Sequence, residues 1–158
     1  MSQILKSLVT ILDTVDDEII ENALYAWINL TEMEDVFAEE VIAEKFPKKK
    51  VLSFAERDDP KIALPALKCI SNMCTGNQEL VDKILDEDLI KVLTKVLIKS
   101  GDKSTLKEVC WALNNIATGP SRNLISLVKL NTHQLLCDFI SKPIIDIDVL
   151  LVTYYFVS

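Results

Sequence analysis

Apolar positions recur at helical spacing along most of this chain, and one stretch shows the pattern most plainly. Between Leu106 and Gly119, Leu106, Val109, Cys110, Leu113, Ile116 and Ala117 share one side of a wheel of about 100° per residue. That side is a buried stripe. Trp111 falls opposite it, with Glu108, Asn115 and Thr118. Packing does not require an indole on a polar face, and large aromatics outside the core commonly serve binding.

The same phase returns at an offset of 43 residues. Asn29, Asn72 and Asn115 share one register position, and Ser158 is the next in the series. The tryptophan position reads Tyr25, Lys68, Trp111 and Tyr154. The position two residues before it reads Ala23, Ala66, Val109 and Val152, and two after it reads Trp27, Ile70, Leu113 and Phe156. Gly76 and Gly119 close the second and third copies. A period near this length marks stacked helical units of the HEAT or armadillo type, roughly 40–47 residues each.

The pattern predicts an amphipathic helix over 3–14 with Ile4, Leu8, Ile11 and Leu12 inward. A longer helix over 17–31 follows, capped by Asp16 or Asp17. Its core face holds Ile20, Ala23, Trp27 and Leu30, while Tyr25 and Asn29 point away. Trp27 is therefore structural, because it shares the apolar stripe. Residues 33–45 form a short acidic helix, and Pro47 opens the next, with Val51, Phe54 and Ala55 inward. A third helix spans 60–75, with Ala66, Ile70 and Met73 inward and a late start or kink expected at Pro65. Helices over 77–87 and 89–99 meet near Asp88; Leu89, Leu93, Val96 and Leu97 form the apolar stripe of the second. After Gly119-Pro120 the cycle restarts with helices over 121–131 and 132–141, and a last one over 146–158 turns Tyr154 outward. The expected fold is all-α, a right-handed superhelical solenoid forming one array over 1–158. It divides into a partial repeat (1–32), repeats over 33–76 and 77–119, and a truncated repeat (120–158).

At these residues the chain resembles a known family. Trp111-Ala-Leu-Asn-Asn115-Ile-Ala-Thr-Gly119 resembles the third helix of an armadillo repeat in importin-α, the adaptor that carries nuclear localisation signals. Pro65-Ala-Leu-Lys-Cys-Ile-Ser-Asn72-Met-Cys-Thr-Gly76 is similar to the repeat of that family in which a basic residue replaces the tryptophan. The resemblance covers nearly the whole chain and matches the second half of the importin-α array, around its minor signal-binding site. It implies that Trp111, Asn115, Asn72 and Glu108 contact a basic peptide, and that Lys68 is the basic interruption. Tyr25 and Asn29 occupy the same register one repeat earlier. Tyr154, Ser158 and Leu151 depart from the tryptophan, asparagine and acidic residue expected there, so one pocket wall is smaller and one clamp is gone. The family recruits importin-β through a basic N-terminal extension. None precedes Ser2-Gln-Ile-Leu, so this chain alone is not expected to bind importin-β by that route.

The register gives such a surface a physical logic. Residues four apart lie one above the other on a helix. A flat indole above an amide offers an apolar wall and a group that both donates and accepts. Helices stack about 8–10 Å apart and an extended strand rises about 3.3 Å per residue, so each repeat meets two or three peptide residues. Slots between aromatic walls fit lysine or arginine stems, with cation–π attraction of about 0.5–2 kcal/mol. Lys68 would repel a cation from its own position.

Composition narrows the field. The chain has 158 residues, 49% of them hydrophobic, with three glycines and five prolines, which favours one helical domain with a sizeable core. A net charge of −7 suits a basic partner and argues against nucleic acid. No apolar run is long enough to span a membrane. Cys69, Cys74, Cys110 and Cys137 show no Cys-x-x-Cys spacing, and His133 is the only histidine, so reduced cysteines and no metal or other cofactor are expected. No nucleophile–base pattern or phosphate loop points to an enzyme. Pro47-Lys-Lys-Lys50-Val looks like a basic nuclear localisation signal, but the competing reading, a solvated helical turn, fits its place inside a folded unit.

Two functions compete: an importin-α-like adaptor, or a fragment of one, moving between cytoplasm and nucleus, and an armadillo scaffold that has lost signal recognition. Neither end is capped by polar residues, and Ile144-Ile145 and Leu150–Val157 are strongly apolar. Self-association through these ends is therefore expected, unless the chain is part of a longer array.

Overall fold

A computed structural model of the chain describes residues 2–32, 44–75 and 78–140. The described residues form nine α-helices, in two compact units, 1–84 and 85–158. The expected helix over 146–158, with Tyr154 and Ser158, lies outside the described residues, as do 33–43 and Gly76.

In the first unit, α1 (Ser2–Ile11) packs on α2 (Asp17–Thr31), and α2 packs on α4 (Pro60–Thr75). Helix α3 (Lys48–Ala55) and helix α5 (Gln78–Ile84) also lie against α4. Asp16 caps α2: its carboxylate accepts from the N–H groups of Glu18 and Ile19 at 3.0 and 3.2 Å. Ile20, Ala23, Leu24, Trp27 and Ile28 of α2 are buried, with Leu30 half-buried at the edge. The Trp27 ring is fully enclosed and meets Phe46 edge-on, with centroids 5.6 Å apart. Among the described residues helix α4 is the most buried, holding Ile62, Ala66, Leu67, Cys69, Ile70 and Met73 inside. The Cys69 thiol bonds the Leu24 carbonyl of α2 at 3.4 Å. At the surface, Arg57 grips Asp17 through two bonds of 2.7 and 2.8 Å.

Three expectations need correction. In α1, Ile4 and Ile11 do not face inward: they are 63% and 40% exposed, whereas Leu5 and Leu12 are buried. Apolar residues at 4, 5, 8, 9, 11 and 12 allow two overlapping stripes, and docking on α2 selects the one through Leu5. Helix α4 does not start late: it begins at Pro60 and runs unbroken through the buried Pro65. The ring removes the bond to the carbonyl of Lys61, which lies in the exposed first turn where water can replace it. The junction after α5 lies at Asp86 rather than near Asp88. The Asp86 carboxylate accepts from Leu89 N at 2.9 Å and starts the next helix at Glu87.

In the second unit, α6 (Glu87–Lys99) packs on α7 (Lys103–Ala117), α7 on α8 (Ser121–Lys129), and α9 (Thr132–Ile140) on both α6 and α8. Leu89, Leu93, Val96 and Leu97 of α6 are buried as expected, and Ile90 joins them. Asp102 caps α7, accepting from Thr105 N at 2.7 Å. On α7, Val109, Cys110, Leu113 and Ile116 are buried, with Leu106 and Ala117 at the margin. Ala112, Thr105 and Asn114 are also buried, so the enclosed face is wider than one stripe.

The Pro47-Lys-Lys-Lys50 run belongs to the folded first unit. Pro47 precedes the first turn of α3, and Lys50 pairs with Asp13.

Candidate peptide-binding surface

In the second unit the register position of interest is intact. Helix α7 starts at its Asp102 cap and buries one side against α6 and α8, so its phase is fixed. That phase leaves Trp111 outward, with 45% of its surface exposed. Asn115, one turn further on, is half-buried, as is Glu108, one turn earlier. Wheel positions place the three within one narrow sector, where side chains three and four apart are neighbours.

Amide chemistry at this end of α7 is unusual. Nδ2 of Asn115 is buried and has no hydrogen-bond partner among the described residues. The same holds for Oδ1 of Asn114 and Nδ2 of Asn123. Buried polar atoms are paired in the great majority of cases, and each exception costs about 1–3 kcal/mol. A half-turn of the Asn115 amide exchanges its donor and acceptor ends. Because its inward N–H is unpartnered, little holds it in one sense.

In the first unit, Tyr25 and Asn29 are exposed on α2, the tyrosine by 49%. Lys68 and Asn72 are half-buried on α4. Here the amide is committed: Nδ2 of Asn72 donates to Oγ1 of Thr31 on α2 at 3.1 Å. The Thr31 hydroxyl lies 2.9 Å from the Ile28 carbonyl and 3.0 Å from that of Trp27, donating back into its own helix. Thr31 was not singled out by sequence pattern. Its only signal is its place at the last turn of α2, and the contact with α4 that gives it a role is tertiary.

The structure thus brings Trp111, Asn115 and Glu108 together in one unit, and Tyr25, Asn29, Lys68 and Asn72 onto two packed helices of the other. Tyr154 lies outside the described residues. None of the four cysteines is in a disulfide: Cys69, Cys74 and Cys110 are buried and Cys137 is exposed. Burial pushes the Cys74 and Cys110 thiols up to about 12, and raises Cys69 further, so none of the three is a nucleophile near neutrality. Among the described residues no cluster of His, Cys, Asp or Glu could hold a metal ion, and no helix is long and apolar enough to cross a membrane.

Comparison with known proteins gives this geometry its setting. Residues 77–118 match the family model of the armadillo/beta-catenin-like repeat. Importin subunit alpha-1a of Oryza sativa subsp. japonica is 26% identical over 115 residues, covering 73% of this chain and 22% of the relative. Importin subunit alpha-2 of Caenorhabditis elegans is 27% identical over 109 residues, covering 69% of this chain and 20% of the relative. The chain therefore spans only about a fifth of the length of these curated relatives. Among solved structures, a designed armadillo repeat protein in complex with the peptide (KR)4 superposes with a TM-score of 0.86 at 21% identity, over 96% of this chain and 62% of that one. An engineered protein matches with a TM-score of 0.85, again at 21% identity, over 96% of this chain and 61% of that one. These likenesses show the fold: the all-α armadillo architecture.

Proposed function

We propose, taking the chain as an armadillo-repeat protein related to the importin subunits alpha, that it binds extended Lys/Arg-rich peptides of the nuclear-localisation-signal type. It would act as an importin-α-like adaptor, or part of one, in cytoplasm and nucleus. The observation that carries this reading is the outward indole of Trp111, stationed one turn from Asn115 on a helix whose other side is buried. Nearly half of that residue's surface is left open to solvent. A lysine or arginine stem laid on it would gain apolar contact and cation–π attraction, while Asn115 meets the peptide backbone. The net charge of −7 favours the approach of a cation. The relatives' names and the designed protein's (KR)4 peptide point the same way. No catalytic step or cofactor enters this reading.

The second reading is an armadillo scaffold without signal recognition. Lys68 supports it, since it places a positive charge where an aromatic wall would stand. Titrating a Lys/Arg-rich peptide while following tryptophan fluorescence separates the two. Saturable binding that is lost in Trp111→Ala supports the adaptor. Absent binding, or binding that Trp111→Ala leaves unchanged, supports the scaffold.

A further inference from the structure

We infer that Thr31 is a positioning residue that fixes which end of the Asn72 amide is offered to a bound chain. The inference rests on the peptide-binding reading and adds direction to it. A threonine hydroxyl carries one proton and two lone pairs. In Thr31 that proton is directed at the carbonyls of Ile28 and Trp27, at 2.9 and 3.0 Å. Toward α4 the oxygen therefore offers only a lone pair. Asn72 fills it with Nδ2–H at 3.1 Å. Turning the amide over would set its carbonyl oxygen against the hydroxyl oxygen, or pull the hydroxyl proton away from α2. Asn72 is thus held with its N–H inward, and its Oδ1 bonds no described residue. An extended strand passing this position meets an acceptor, so the amide oxygen takes a peptide N–H, and only the second Nδ2 hydrogen is left to donate.

Asn115 is the contrast. Its inward Nδ2 has no partner among the described residues, so that amide can turn to suit either peptide group. The residue 43 positions after Thr31 is Cys74, a thiol where the earlier repeat has a hydroxyl. Two asparagines in one register position thus have different roles, one fixed in sense and one adaptable.

The test uses the whole 158-residue chain, the peptide (KR)4, and versions of it N-methylated at single backbone amides. Side-chain amide resonances of Asn72 are recorded in the parent, Thr31→Val and Thr31→Ser. Valine keeps the shape and removes the acceptor; serine keeps the acceptor. The Asn72 pair is expected to shift in Thr31→Val and to stay near its parent position in Thr31→Ser. Peptide affinity is expected to fall about 2- to 10-fold in Thr31→Val, the range for one lost hydrogen bond, and to recover in Thr31→Ser. One N-methylated position should lose affinity in the parent and show little further loss in Asn72→Ala. If the peptide does not bind the parent, the functional reading fails, while the amide resonances still decide whether Thr31 holds Asn72. An Asn72 pair that is unmoved in Thr31→Val, or moved equally by serine, would overturn the inference.

Discussion

The two tryptophans offer a sharp comparison, because the fold uses one and leaves the other half outside. Trp27 is fully enclosed and edge-on to Phe46. Replacing a buried tryptophan by alanine costs about 3–5 kcal/mol in lost transfer energy and cavity. The aromatic pair adds about 0.5–1.5 kcal/mol. Against this, Nε1 of Trp27 is buried without a partner among the described residues, and its removal returns about 1–3 kcal/mol. The net cost of Trp27→Ala is thus about 3 kcal/mol. Trp111 is 45% exposed and rests on a surface, so its truncation leaves no enclosed cavity. Half of a tryptophan's ~150–250 Å² at about 25 cal/mol per Å² gives about 2–3 kcal/mol as an upper bound, less what the retained Cβ keeps. About 1–2 kcal/mol is expected. For a chain of this size each kcal/mol moves the melting temperature by roughly 2–4 °C. Trp27→Ala should lower it by about 10 °C and Trp111→Ala by about 4 °C, read by circular dichroism at 222 nm. Acrylamide should quench the single-tryptophan variant Trp27→Phe, which retains Trp111, far more readily than Trp111→Phe. Equal thermal losses, or equal quenching, would place the indole at 111 in the core and remove the ground for a binding role.

Other outcomes follow from the same structure. In α1, Leu5→Ala should cost about 2–5 kcal/mol, whereas Ile4→Lys should stay within about 0.5 kcal/mol, both read from urea midpoints. Asp102→Ala should cost about 1 kcal/mol through loss of the cap on α7. The N–H of Thr105 holds the Asp102 carboxyl below its ordinary 3.8, so the cap's contribution is complete above that value. It is lost as pH falls through the lowered folded value, and the gap between parent and Asp102→Ala in thermal melts should close there. A thiol reagent at neutral pH should label Cys137 rapidly and Cys69, Cys74 and Cys110 only on unfolding; rapid labelling of more than one thiol contradicts the burial.

Long, strongly periodic helices were legible from sequence because their burial follows one stripe. Helix α2 buries Ile20, Ala23 and Trp27, and α6 buries Leu89, Leu93 and Leu97, as their spacing requires. Helix α1 was misread because it is short and apolar on two adjacent stripes, and only α2 decides between them. The start of α6 is expected near Asp88 because Asp86 and Asp88 are both cap residues by type; the bond from Leu89 N to Asp86 settles it. Pro65 signals a break in isolation, but packing of α4 against three helices holds the segment helical through it. At the candidate surface, Trp111 is legible as outward because it lies opposite the stripe of Val109, Cys110, Leu113 and Ile116. It could not place the Thr31–Asn72 bond, which joins residues 41 apart, nor the unpartnered amides of Asn114 and Asn123.

The most direct test of peptide binding is a nitrogen-15 titration of the whole chain with (KR)4. Trp27 and Trp111 are its only tryptophans and give two indole N–H signals. The Trp111 indole and the Asn115 side-chain amide should move together and saturate, with the Trp27 indole still. No movement at Trp111 and Asn115, or equal movement of both indoles, would contradict recognition of a basic strand on this surface.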